Sequence, residues 1–402
     1  MQSEPKYRCL SETKKPSILL VHEPGEETRL AKEHPADWGF DPSLAEDTRS
    51  FEKWLEDAQG EHREFASVLR REGITPLYAT NLLQERQTEV ASYLRHEFER
   101  VRPRIDRLDR EVQHAVHEAY ERGMSSPTYF LLLGLEIGES FSQLYYPTRL
   151  FVYRQLKTLM PQTSLYYTQD PVISTPAGLV KSKLAMWLRR QEPDVLEIAL
   201  GRENYVHRLK NGTEGGDVTM CSYAAGGDVL YADGRMLVGI SALSGKNIVQ
   251  ELGRLSKAAK VHDTVYLFVP DYFEPSQSYA TGNVMHLDTV MMPIDEHTIL
   301  ANRRLLEGTA VKESGNPIVN GYEWARRTFT NGIVEVPDEE QQGVYGWGSN
   351  VLPIGNRNIV SSAHLRQTNR NLRQAGFTVY EVDSATLTTG FGSFHCMTAY
   401  LG

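Results

Sequence analysis

Three short clusters in this chain carry side chains capable of covalent chemistry: Tyr167-Thr-Gln-Asp-Pro171, Met285-His-Leu-Asp-Thr289 and Gly390-Phe-Gly-Ser-Phe-His-Cys-Met-Thr398. Cys396 is the natural nucleophile. A free thiol ionises near pH ~8.5, so a neighbouring cation or backbone N–H groups must help it become a thiolate. Gly390 and Gly392 let the backbone approach a substrate closely. His286 and Asp288 are two residues apart, and on a strand they would face the same side of a sheet, placing a general acid/base and a carboxylate in one pocket. Asp170 adds a second carboxylate. The plain alternatives are an inert buried thiol, a satisfied core histidine and acids that merely start turns. His395 adjoins the nucleophile, but neighbours on an extended segment point apart, which suggests a structural part for it.

These side chains need a scaffold, and the chain is long enough to supply one. Its 402 residues, 40% of them hydrophobic, can bury a large core as one big domain or two ordinary ones. A formal net charge of −9 with scattered Lys and Arg disfavours nucleic acid as a partner. No apolar run reaches the ~18 residues of a membrane helix, and the opening MQSEPKYRCL lacks a signal-peptide core, so a cytoplasmic protein without a membrane partner is expected. Cys9, Cys221 and Cys396 are too few and too far apart for a disulfide framework or a metal knuckle. No metal is expected, and a homo-oligomer is compatible with the composition.

The pattern of elements is α/β. Pro16 to His22 reads as a buried strand, Ser43 to about Arg71 as an amphipathic helix with a break near Gly60, and Ile74 to Tyr78 as a second strand. Between residues 83 and 153 the composition turns charged and helix-favouring, which predicts an inserted helical subdomain with breaks at Pro103 and Gly123. Beyond Leu165, short β-rich runs at Val229, Met236–Ile240, Thr264–Val269, Ile359 and Thr378–Val382 alternate with helices over Asn247–Ala259 and Ala363–Ala375.

Taken together, the TQDP, MHLD and terminal HCMT clusters, in this order, resemble the arginine deiminase and amidinotransferase superfamily. The resemblance covers nearly the whole chain, residues 1–402 as one catalytic domain. It implies a fivefold pseudosymmetric α/β propeller, the pentein fold, and chemistry on guanidino groups without a cofactor. It further implies that Asp170 and Asp288 hold the planar cation, that Cys396 attacks its central carbon, and that His286 protonates the departing amine, leaving an S-amidino intermediate. Water then gives a urea; an amine acceptor takes the amidino group instead.

Several positions depart from the family pattern. Where the family has an acid ahead of a Gly-Gly-Asp turn, this chain reads Ala225-Gly-Gly-Asp228. Asp228 is the matched position. A complete Glu214-Gly-Gly-Asp217 lies earlier, so Glu214 is a candidate to replace the lost charge. The arginine that arginine deiminases place after the next strand is missing from Ser241-Ala-Leu-Ser-Gly245, whereas Arg303 and Arg304 resemble the carboxylate-binding segment of amidinotransferases. Asn283 and the Phe394-His-Cys396 triplet also resemble amidinotransferases. The helical insertion and short C-terminal tail resemble arginine deiminase. The expectation is an amidinotransferase that moves an amidino group from a small guanidino donor to an amine. Alternatives are an arginine deiminase-like hydrolase and a non-catalytic binding protein of the same fold.

Overall fold

The computed structural model describes residues 6–208, 223–232, 234–241, 248–251, 253, 261, 263–270, 286–342 and 347–402. Its strands form five sheets, each built on the same trio: an antiparallel pair followed by a third strand parallel to the second. Strands β1 (Ile18–Val21) and β2 (Thr75–Tyr78) pair in parallel, and β17 (Ala399–Tyr400) joins β1 antiparallel, so the two ends of the chain share a sheet. The second trio is β3 (Val172–Thr175), β4 (Gly178–Lys181) and β5 (Tyr205–Arg208). The third is β6 (Val229–Ala232), β7 (Arg235–Ile240) and β8 (Asp263–Phe268), extended by β11 (Ala310–Glu313) and β12 (Val319–Asn320). The fourth is β9 (Met291–Asp295), β10 (Thr298–Ala301) and β13 (Gly332–Glu335). The fifth is β14 (Leu352–Pro353), β15 (Asn358–Ser362) and β16 (Thr378–Val382).

Parallel neighbours need a crossover, and helices provide it. Phe51–Arg71 links β1 to β2, Glu192–Leu200 links β4 to β5, Gly321–Thr328 lies between β10 and β13, and Arg366–Gln374 links β15 to β16. The first of these begins later than expected, at Phe51, where the Ser50 side chain accepts from Lys53 N. It also runs unbroken through Gly60. The face formed by Trp54, Ala58, His62, Phe65 and Leu69 is buried, and that packing outweighs the roughly 1 kcal/mol helix cost of a glycine. The expected helix over 247–259 lies mostly outside the described residues.

All regular structure between β2 and β3 is helical, in agreement with the composition of that stretch. Gln87–Ile105 carries Pro103 in its last turn and ends two residues later, and Gly123 closes Arg110–Gly123. Val90, Leu94, Phe98, Val116 and Phe130 of this stretch belong to one hydrophobic cluster with Leu19, Val172, Leu179 and Cys396, so these helices share a core with the sheets. A second cluster, with Leu267, Met292, Leu300 and Trp324, lies around β8, β9 and β10.

Candidate active site

The candidate residues share one structural address. Asp170, Asp228, Asp288, Asn350 and Cys396 each lie one to three residues before the first strand of a different trio, β3, β6, β9, β14 and β17. Five strand entrances thus meet, and hydrogen bonds tie them together. Gln169 N donates to Cys396 O (3.0 Å), Gly226 N to Asp170 O (2.9 Å), and the Thr168 hydroxyl to the carbonyls of Leu20 and Met397 (both 3.0 Å). Asn350 Oδ1 accepts from the backbone N–H groups of Ser393 (2.9 Å) and Cys396 (3.2 Å), which fixes the loop that carries the thiol.

At the centre, Cys396 Sγ lies 3.4 Å from Asp288 Oδ2, and His286 Nδ1 lies 3.2 Å from Asp170 Oδ1. A Cβ added to Gly227 would stand 3.0 Å from Asp288 Oδ1 and 3.1 Å from Asp170 Oδ1. Both carboxylates therefore converge on this glycine, and a side chain there would crowd them. Asp170 Oδ1 is paired with His286, and Asp288 Oδ1 makes no hydrogen bond among the described residues. Gly392 is needed for a different reason, because a Cβ there would stand 2.7 Å from the Tyr167 ring.

Sequence spacing placed His286 and Asp288 on one strand face, but they sit on a short 3-10 turn, Leu287–Thr289, that starts at His286. The turn sends His286 to the Asp170 carboxylate and Asp288 to the thiol and to His395. His395 itself is fully buried, with Nδ1 2.8 Å from Asp288 Oδ2 and Nε2 3.5 Å from Glu12 Oε2.

The electrostatics follow from three buried acids around one thiol. Burial opposes charge on His286, yet Asp170, Asp228 and Asp288 outweigh it and raise the imidazole to about 10. Burial would also raise Asp170, but His286 and Arg189 hold it below the usual carboxylate range. Burial, with Asp288 and Asp170 adding to it, pushes the Cys396 thiol well above its ordinary value. The surrounding acids thus favour a neutral thiol beside an imidazolium.

A cavity of about 390 Å³ opens onto this centre, with His286, Asp228, Arg189 and Ala225 in its wall. Leu184, Met186, Trp187, Leu188, Trp347 and Phe391 add apolar surface, and Asp37, Arg154 and Lys183 add charged groups. Cys396 lies behind that wall, 4% exposed. Asp228 sits where the sequence placed it. Asn283 and Glu214 lie outside the described residues. Arg303 and Arg304 do not line this cavity. They are exposed on the short helix Arg303–Glu307, where Arg303 pairs with Glu307 (2.8 Å), and they border a separate depression with Asn302, Glu335 and Asp338. Sequence spacing could not show this, because a helix start after β10 turns both side chains to solvent.

Three residues went unnoticed in the sequence. Arg189 is half-buried between Asp170 and Glu192, its Nη2 2.8 Å from Glu192 Oε2. No local pattern marks it. Asn350 stands two residues before β14 as Asp170 stands two before β3, a repeat visible only once the strands are aligned. Glu12 is hidden in an irregular N-terminal segment. Among the described residues no group of three His, Cys, Asp or Glu could hold a metal, and no helix is long and apolar enough to cross a membrane.

Residues 51–401 match the family model described as arginine deiminase. The arginine deiminase of Mycobacterium avium is 26% identical over 94% of this chain and 94% of its own length, and that of Oenococcus oeni is 25% identical over 96% and 95%. A third, from Listeria welshimeri, is 26% identical over 60% of this chain and 62% of its own length. Among solved structures, SxtG, an amidinotransferase from Microseira wollei, aligns with a TM-score of 0.56 at 13% identity, covering 99% of this chain and 97% of that one. DDAH from Pseudomonas aeruginosa aligns at 0.51 and 14%, covering 96% and 98%. This chain belongs to the arginine deiminase family, within the pentein superfamily of guanidino-group-modifying enzymes.

Proposed function

We propose that this protein is a guanidino-group hydrolase of the arginine deiminase type, with its five sheet trios acting as blades of a fivefold pseudosymmetric propeller around one catalytic domain. The observation that carries the reading is the pair of carboxylates, Asp170 and Asp288, converging beside Gly227 with the Cys396 thiol 3.4 Å from one of them. A guanidinium held there by N–H···O bonds neutralises both acids. Its positive charge also lowers the cost of ionising the thiol, which the same acids raise, so the thiol proton passes to solvent as the guanidinium binds.

The thiolate forms an S–C bond to the guanidinium carbon, and the C–N bond to the departing amine breaks as His286 gives up its proton. The neutral imidazole then takes a proton from water, whose oxygen attacks the S-amidino carbon. Collapse releases the thiolate and a urea. Asp228 supplies negative charge beside His286, where Ala225 has none to offer. With arginine as donor the products are citrulline and ammonia.

The sequence favoured amidino transfer. Hydrolysis is the better reading because relatives matching more than nine-tenths of this chain carry the name arginine deiminase. Arg303 and Arg304, one basis for the transfer reading, are also remote from the cavity lining. Incubation with arginine and a panel of amines tests it. Citrulline and ammonia support hydrolysis, ornithine with a new guanidine would mean transfer, and turnover by Cys396→Ala would overturn the mechanism.

A further inference from the structure

His395 and Glu12 are as deeply buried as the nucleophile and take no part in the steps above. Glu12 is 2% exposed and is anchored through its backbone, its N–H donating to Tyr231 O (2.7 Å) and its carbonyl accepting from the Tyr400 hydroxyl (3.3 Å). It precedes residue 51, where the family match begins. Its carboxylate, the His395 ring and the Asp288 carboxylate stand in a row, with separations of 3.5 and 2.8 Å. Tyr400 also lies near the ring, its centroid 6.2 Å away, and the Cys396 thiol lies 3.4 Å from the Asp288 oxygen that the ring engages.

Two carboxylates flanking an imidazole away from water are costly unless the ring carries both protons. Only an imidazolium has an N–H on each nitrogen and can direct one at each acid. Asp288 then has a defined orientation. Its Oδ2 is engaged by His395 and lies against the thiol, while Oδ1 has no hydrogen-bond partner among the described residues, and both oxygens border Gly227.

We propose that Glu12 and His395 are a positioning pair that fixes the orientation of the Asp288 carboxylate beside the guanidinium, so that the N-terminal segment is part of the catalytic centre. The proposal rests on the reading of Asp288 as a guanidinium clamp. The balance of charges agrees with it. Burial disfavours the His395 cation, but Asp288 and Glu12 outweigh it and raise the ring to about 9, while burial raises Glu12 despite its histidine partner.

Two measurements test the proposal. In 15N-histidine NMR at pH 8, with the signal assigned by its loss in His395→Asn, both ring nitrogens of His395 are protonated, and Glu12→Gln moves deprotonation to lower pH. A neutral ring at pH 8 in the wild type, or a titration unmoved by Glu12→Gln, overturns the pair. The second measurement compares Cys396 alkylation by 2-chloroacetamidine, a cation shaped like the guanidinium, with that by neutral 2-chloroacetamide. The wild type prefers the cation, and Glu12→Gln and His395→Leu lower that preference about tenfold, the scale of one lost charge-assisted contact. His395→Asn, which keeps an N–H near the Nδ1 position, retains more of it. If the wild type shows no preference, the guanidinium clamp fails and the proposal with it. If the preference is present but survives Glu12→Gln and His395→Leu, the clamp stands and the positioning pair is overturned. Glu12→Gln is close to isosteric, so its result holds even where His395→Leu does not fold.

Discussion

Two buried histidines share the carboxylates around Cys396, and only His286 reaches the cavity wall. Both rings are raised above their ordinary value by acids that overcome burial: Asp170, Asp228 and Asp288 at His286, Asp288 and Glu12 at His395. The same physics therefore makes two imidazolium ions, and access separates their uses. His286 can pass its proton to a molecule in the cavity, whereas His395 can only hold its protein partners. A raised pKa alone does not identify a catalytic acid.

The strongest way to break this contrast is to remove the accessible ring. His286→Gln should lower kcat about 10³-fold with a small change in KM, in line with the loss of a general acid/base. Steady-state kinetics showing a larger loss for His395→Asn than for His286→Gln would reverse the assignment.

Next in size is the space between the acids. Gly227→Ala places a methyl 3.0–3.1 Å from both Oδ1 atoms, where the guanidinium is expected. KM for the guanidino substrate should rise about tenfold or more, as expected for the loss of a charge-assisted contact. An unchanged KM would move the binding point elsewhere.

A smaller effect tests both rings together. Each holds its proton more tightly folded than unfolded, so the folded state binds more protons between the unfolded value of ~6.5 and the folded values of about 9 and 10. The stabilisation from each pair is fully present below pH ~6.5 and is lost as pH rises through the folded value. Urea denaturation should show falling stability from pH 7 to pH 10, and a His286→Gln, His395→Asn double variant should flatten that slope.

The smallest effect concerns residues outside the contrast. Arg303→Ala and Arg304→Ala, on the exposed helix, should leave KM within about twofold, since solvated ion pairs contribute little. A tenfold rise would return these arginines to the substrate.

Much of this was legible in the chain. Cys396, His286, Asp288 and Asp170 were marked by residue type and by the order of their clusters, and the β1, β2, β7, β8 and β16 strands by apolar runs bounded by turn formers. Local pattern misled at Gly60 because buried helix packing outweighs propensity. It misled at His286 because a period of two applies only to strands, and that segment is a turn.

The sequence by itself determined which groups can react, and therefore the class of chemistry. Tertiary structure alone decided their partners. The contacts between Asp288 and Cys396, Glu12 and His395, and Asn350 and Cys396 span 108, 383 and 46 positions. Such pairings arise from strand register and shared burial across different trios, and these long-range terms leave no trace in a local window of residues.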